Sequence, residues 1–176
     1  GCMSEISKEN IYFVNAHPDD INAGLGLALI LTEIDHYRIH LVDFTRGERG
    51  LIEQGVSEAE CAAIRTKEEE AVCRELGITP VFLHETDGNA YACRETCMEL
   101  AEYFKVSPPR AIITHWPLDI HQDHVMCAAA VMKVLDKLGR KTVKIRTVLT
   151  SKCHIGVCAK CYGANMATGQ PVQVGE

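Results

Sequence analysis

No stretch of this sequence approaches the roughly 20 consecutive apolar residues that a membrane helix requires, and no secretory-type apolar core opens it. Neither a membrane span nor an export signal is expected, and a cytoplasmic location follows. Excess positive charge is missing too. The formal charge is −6, which offers no general attraction to a nucleic-acid backbone or to anionic lipid. Nucleic acid and membrane are therefore not expected as partners. A secreted-type disulfide framework is also absent: of the nine cysteines, Cys61, Cys73, Cys93, Cys97 and Cys127 fall inside predicted helices, where a reduced thiol serves as a small apolar side chain. The glycines after the first strand, Gly24 and Gly26, lack the spacing of a dinucleotide fingerprint.

What is present is one domain's worth of chain. The 176 residues are 47% hydrophobic and 24% charged, enough to build a core and too apolar for wholesale disorder. Short β-prone runs at 11–14, 39–44, 81–83 and 111–114 alternate with helical patterns. The helices are expected from about 21 to 34, over 57–76, over 91–105 and from about 125 to 138. The alternation predicts an α/β fold, a parallel sheet with helices on both faces. The run 24–31 is almost continuously apolar and reads as a buried helix whose glycines allow close approach to the sheet. Ser57 with Glu60 matches a capping box and Gly77 a C-cap. The acidic run Glu68, Glu69 and Glu70 reads mostly as a solvated face.

The chemistry gathers at two strand ends. Pro18 stops the first strand and leaves His17, Asp19 and Asp20 together at its mouth. The fourth strand opens onto His121, Asp123 and His124. Taken alone, the first group is equally well an Asx-type turn capping the next helix. In open parallel sheets, however, sites lie beyond the carboxyl ends of the strands where strand order reverses. A first strand beside the fourth sets the two groups facing each other across one crevice. Two imidazoles and a carboxylate form a recurrent catalytic zinc set, which leaves a position open for water and lowers that water's pKa to about 7. A remaining carboxylate can take a proton and a remaining histidine can give one, which points to amide or ester hydrolysis. The loop 45–50 carries charges between two glycines and has polar work available to it; Arg65 and Glu68, one turn apart, can pair with each other.

Ala16-His17-Pro18-Asp19-Asp20, Thr45 with Gly47-Glu48, Arg65-Thr66-Lys67-Glu68, Asp87-Gly88 and His121-Gln122-Asp123-His124 occur in one order over roughly residues 10–140. In this the chain resembles the LmbE-like, PIG-L zinc-dependent N-acetylglucosaminyl deacetylases. The resemblance implies a Rossmann-like fold, truncated here because the family continues with strands and loops that close the substrate cleft. It implies removal of acetyl from an N-acetylglucosamine-type amide, with a small-molecule amino-sugar conjugate as partner and one catalytic zinc ion. Carried across, His17, Asp20 and His124 fall to the metal and Asp19 to the general base. His121 falls to general acid or oxyanion stabiliser, and Asp123 to orienting a histidine. Arg65, with Glu48 and Arg46, falls to substrate binding. Self-association into a homo-oligomer is left open.

A second resemblance begins at Lys144. Residues 144–150, then Gly156 to Gly163 with its Cys158-Ala159-Lys160-Cys161 pair, then Ala167-Thr168-Gly169 resemble a segment of the bacterial RNA polymerase β′ subunit. The expected division is thus 1–143, the deacetylase-like domain, and 144–176, a polymerase-like segment with an irregular tail and no independent fold. Within it, 143–149 alternates well enough to make a fifth strand. A lone Cys-x-x-Cys pair is a weak zinc signal, so a second zinc at Cys158 and Cys161 is not expected. The alternative function is a truncated or chimeric non-catalytic metal-binding α/β module that carries the polymerase-like tail.

Overall fold

The structure is a computed structural model and describes residues 9–139 and 143–148. Five strands run β1 (Asn10–Asn15), β2 (Arg38–Asp43), β3 (Pro80–Phe82), β4 (Pro109–His115) and β5 (Lys144–Val148). They form one sheet in the order β3-β2-β1-β4-β5, with every neighbouring pair parallel. The helices are α1 (Leu25–Glu33), α2 (Glu58–Glu75), α3 (Arg94–Val106) and α4 (Gln122–Lys137). The order reverses at β1, which pairs with β2 on one side and β4 on the other. A crevice therefore opens above the carboxyl ends of β1 and β4, where both histidine-bearing loops emerge.

Strand alternation sends successive side chains to opposite faces, and two cores result. Tyr12, Val14, Val42 and Ile112 pack with α3 and α4 through Leu100, Phe104, Val131 and Val134. Ile11, Phe13, Leu41 and Ile113 pack on the other face with Ala28, Cys73 and Leu76. Cys61, Cys73, Cys97 and Cys127 are buried free thiols, used as small core residues as their scattered positions suggest.

Helix α2 starts at its expected place, with Ser57 and Glu60 in a complete capping box. Three local readings change. First, α1 is not a buried helix: only Ala28 is buried, and Leu27, Leu29, Ile30 and Ile34 are 41%, 44%, 49% and 69% exposed. A helix apolar all round gives no periodic signal for which side meets the sheet, and here one narrow stripe does. The close approach belongs to Gly24 alone, where a Cβ would stand 2.8 Å from the Phe13 ring; Gly26 faces open space. Second, α3 begins at Arg94 rather than near 91, because Cys93 caps it by accepting the Thr96 N–H. Third, α4 begins at Gln122 rather than near 125, so Asp123 and His124 sit in its first turn with His121 as N-cap. The strand expected over 143–149 is β5, which lies beyond the 143/144 division and joins the sheet through β4. The expectations for Ser151 onward, including Cys158 and Cys161, lie outside the described residues.

Candidate metal centre and active site

The loop after β1 closes on itself: the His17 N–H donates to Asp20 Oδ2 at 2.9 Å, and the Asp20 N–H returns to the His17 carbonyl. This is not the helix-capping Asx turn admitted from sequence, since the Asp20 carboxylate reaches back to the His17 N–H and no side chain caps the 3-10 turn that follows; the loop aims both side chains into the crevice. His17 Nε2 lies 3.1 Å from Asp123 Oδ2 and 3.2 Å from Asp87 Oδ1. Its Nδ1 makes no hydrogen bond and lies 3.4 Å from Asp20 Oδ2. From the other loop, His124 Nδ1 meets Asp119 Oδ2 at 3.0 Å, and His124 Nε2 lies 3.6 Å from Asp20 Oδ2.

These partners assign the tautomers. Carboxylates accept only, so each fixes a proton on the nitrogen it faces. His17 then offers Nδ1, and His124 offers Nε2, toward the same Asp20 oxygen. The spacings of 3.4 and 3.6 Å match the edge, about 3.4 Å, of a tetrahedron with bonds of about 2.1 Å. His17, Asp20 and His124 are all buried, with ligand atoms within 4.8 Å of one another, and the donor set suits a zinc-like ion. A second grouping, His17, His121 and Asp123, is less open to an ion. Asp123 already accepts the Gly88 and Ala90 N–H groups, and His121 Nδ1 accepts the Asp123 N–H.

The electrostatics are those of a site made for positive charge. Burial alone would push the His17 imidazole down, but the neighbouring carboxylates of Asp123, Asp20 and Asp87 outweigh it and raise it to about 11, so Nδ1 is a place for a cation, and a metal there takes the place of a proton. Burial likewise opposes ionisation of Asp123, yet His17 and the Gly88 and Ala90 N–H groups bring its carboxyl down to about 2. Burial and the neighbouring His115 lower His124 to about 4, so it is neutral and able to ligate. His121 is lowered by burial and then by His17. With its Nδ1 accepting a backbone N–H, the neutral ring carries its proton on Nε2.

In front of these residues opens a cleft of about 440 Å³, lined by Asp19 and His121 together with Pro18, Gly47, Arg49, Gly50, Ile52 and Asp87. Of the residues expected to bind substrate, Arg65 lines the cleft, although its Nη1 also takes Glu68 at 2.8 Å, the pairing admitted from sequence. Arg46 and Glu48 do not line it. Arg46 lies over the Phe82 ring, 4.6 Å from its centroid, and donates to Thr66. Glu48 turns to the Asp87 N–H. Asp123 contacts the imidazole of His17, while His121 meets only its backbone.

Sequence reasoning assigned no part to Asp87, Asp119, His115 or Arg49. Asp87-Gly88 was legible as a turn and Asp119 as a neighbour of the second motif, but nothing local shows that their carboxylates reach His17 and His124. His115 ends β4, accepts the Ala16 N–H and stacks on His124 with centroids 3.9 Å apart. Its signal was a polar residue closing an apolar strand.

Known proteins share this fold. The structure of N,N'-diacetylchitobiose deacetylase from Pyrococcus horikoshii superposes with a TM-score of 0.67 at 25% identity, over 74% of this chain and 50% of that one. The 4-carboxy-2-hydroxymuconate hydratase GalB of Pseudomonas putida KT2440 has the same fold, with a TM-score of 0.65 at 24% identity over 72% of this chain and 55% of that one. The chain thus spans about half the length of these proteins. In the carboxy-terminal region, a 35-residue match is 83% identical to the RNA polymerase β′ subunit of Lachnoclostridium phytofermentans; it is 20% of this chain and 3% of that subunit. The profile of PIG-L, GlcNAc-PI de-N-acetylase, matches residues 12–135, the span that holds most of β1, all of β2 to β4 and every residue of the candidate metal centre, and the chain belongs to that family.

Proposed function

We propose that the protein is a zinc-dependent hydrolase that removes an acetyl group from an N-acetylglucosamine-type amide. The observation that carries the reading is the matched pair of imidazoles. His17 through Nδ1 and His124 through Nε2 converge on Asp20 at tetrahedral-edge spacing, beside a cleft that holds Asp19 and His121. The fold alone does not select the reaction, since a hydratase shares it; the family does point to deacetylation.

Zinc, when bound, supplies Lewis acidity that polarises a carbonyl and acidifies a water. The chain's own groups do the rest. Asp20 is held well below the usual carboxylate range against its burial by His115 and His17, and stays anionic for ligation. Asp19, on the cleft wall, takes the proton of the attacking water. His121 presents Nε2–H to the oxygen that gains charge as the carbonyl becomes tetrahedral, and is placed to pass a proton to the departing amine. Asp123 and Asp119 hold the two metal-facing rings by their far nitrogens.

The test is metal analysis paired with an acetate-release screen on N-acetylglucosamine conjugates. One equivalent of zinc and released acetate are expected. Asp19→Asn should keep the zinc and lower turnover by about 10²–10⁴-fold, the scale of a general acid–base group; unchanged turnover would remove Asp19 from the chemistry. The second reading is a module that holds the metal without turnover, since the chain spans 50% of the Pyrococcus deacetylase. Stoichiometric zinc with no acetate from any conjugate identifies it. No helix among the described residues is long and apolar enough to cross a membrane.

A further inference from the structure

Three imidazoles stand in a row behind the cleft. His124 lies between His115, with ring centroids 3.9 Å and planes 11° apart, and His121, at 4.6 Å and 22°. His121 fronts the cleft, whereas His115 is 1% exposed. The back of the row is thus set in the core, and its front meets whatever enters the cleft.

His115 also reaches the other loop. Its Nε2 accepts the Ala16 N–H at 2.9 Å and lies 3.3 Å from Asp20 Oδ2. One ring therefore touches the turn that carries His17 and Asp20 with its edge, and the first turn of α4 with its face. With Nε2 accepting, the ring proton is on Nδ1, which is buried and makes no hydrogen bond among the described residues. An unpaired buried donor costs stability, and a phenyl ring would fill the same space without it. What the imidazole adds to shape is the acceptor at Nε2. His115 belongs to neither grouping able to hold an ion. Asp119 fixes one edge of His124, but a single edge contact leaves a ring free to rock about it. A parallel ring at 3.9 Å removes that freedom.

We propose that His115 is a positioning residue for the metal centre. Through the stack it holds His124 in the plane that aims Nε2 at the ion. Through Ala16 it sets where the turn after β1 presents His17 and Asp20. The inference rests on the metal-dependent reading and goes beyond it by naming a residue outside both sequence motifs on which the geometry of the ligand set depends.

The experiment compares the parent with His115→Gln, which keeps an acceptor near Nε2 and abolishes the stack, and His115→Phe, which keeps the stack and abolishes the acceptor. Zinc affinity is read by competition with a chelating dye, alongside the melting temperature of the metal-free chain. Each variant should bind zinc about 10–100-fold more weakly, the usual scale for residues that orient ligands. The visible spectrum of the cobalt(II)-loaded chain should change in both, because the arrangement of the ligands depends on His115 as well as their affinity. If one variant fails to fold, the other carries the test. Parent-like zinc affinity in the folded variants overturns the proposal. So does a lower metal-free melting temperature with an unchanged cobalt spectrum, the mark of a residue that only fills the core. A parent that binds no zinc sinks the metal-dependent reading and this proposal with it. Zinc bound by the parent and weakened in the variants, with no acetate released by any of them, upholds the proposal and sinks the deacetylase reading alone.

Discussion

Asp119 serves His124 as Asp123 and Asp87 serve His17: a carboxylate on the far nitrogen fixes which lone pair points at the ion. Such partners typically contribute 10–100-fold to metal affinity without touching the metal. Asp119→Ala should therefore weaken zinc binding by about that factor while His17, Asp20 and His124 remain in place. Competition against a chelating dye measures it, and parent-like affinity would deny Asp119 the role. The proposed ligands stood out in the sequence because each sits in a short motif at a strand end. Their supports were not, because a carboxylate's partner across 106 positions, as from His17 to Asp123, leaves no local trace. Arg46 shows the converse. A charge in a loop says that it is polar, not which way it turns, and the Phe82 ring took it. Glu69 corrects the reading of its acidic run as solvated, for it is 3% exposed. Neighbours on a helix point about 100° apart, so one of three consecutive acids can turn inward. Burial, then the charges of Asp19 and Asp20, raise its carboxyl to about 8. Between the ordinary value of 4.5 and about 8 the folded chain holds a proton that the unfolded chain has lost. Stability on this account is full below about pH 4.5 and falls as pH rises through 8, by about 1 kcal/mol per unit. Glu69→Gln, which keeps the shape and removes the titration, should flatten that decline in urea midpoints measured from pH 5 to 9; an identical slope would acquit Glu69.

At the scale of elements, the site is a meeting of segment ends. The turn after β1 supplies His17 and Asp20, the first turn of α4 supplies Asp123 and His124, and the segment 87–90 is tied between them by two N–H groups to Asp123. Just past this tie the Tyr91 N–H goes to Glu85 and Cys93 caps the helix, so α3 starts later than the sequence reading placed it. Gly88 is the critical member. Its φ is +78, its N–H reaches Asp123, and a Cβ would meet Arg49 Nη1 at 2.7 Å. Gly88→Ala should cost about 1–2 kcal/mol from backbone conformation alone and displace Arg49 as well. Denaturant unfolding measures the cost, and a variant as stable as the parent would contradict it.

For the molecule as a whole, alternation and the rules of parallel sheets led to a parallel sheet with β1 beside β4 and a crevice at that point, while the full order β3-β2-β1-β4-β5 comes from the structure. The sequence pattern carried that much because period and connection handedness are general. The exposed side of α1 was not legible, since burial is decided by what the rest of the chain leaves uncovered. The ladder from Ala111↔Lys144 to His115↔Val148 makes β4 an interior strand, and β4 delivers His115 to the centre. A chain ending at residue 143 should therefore melt lower than one ending at 150, by about 5 °C or more, and should hold zinc less tightly. Equal melting temperatures would mean that β5 adds nothing to the sheet. The ladder has another consequence. It is written in peptide groups, which every residue except proline carries alike, so a sheet edge inspects extension and ignores descent. The stretch from Lys144, whose sequence resembles an RNA polymerase subunit, needed no co-adapted surface to pair with β4.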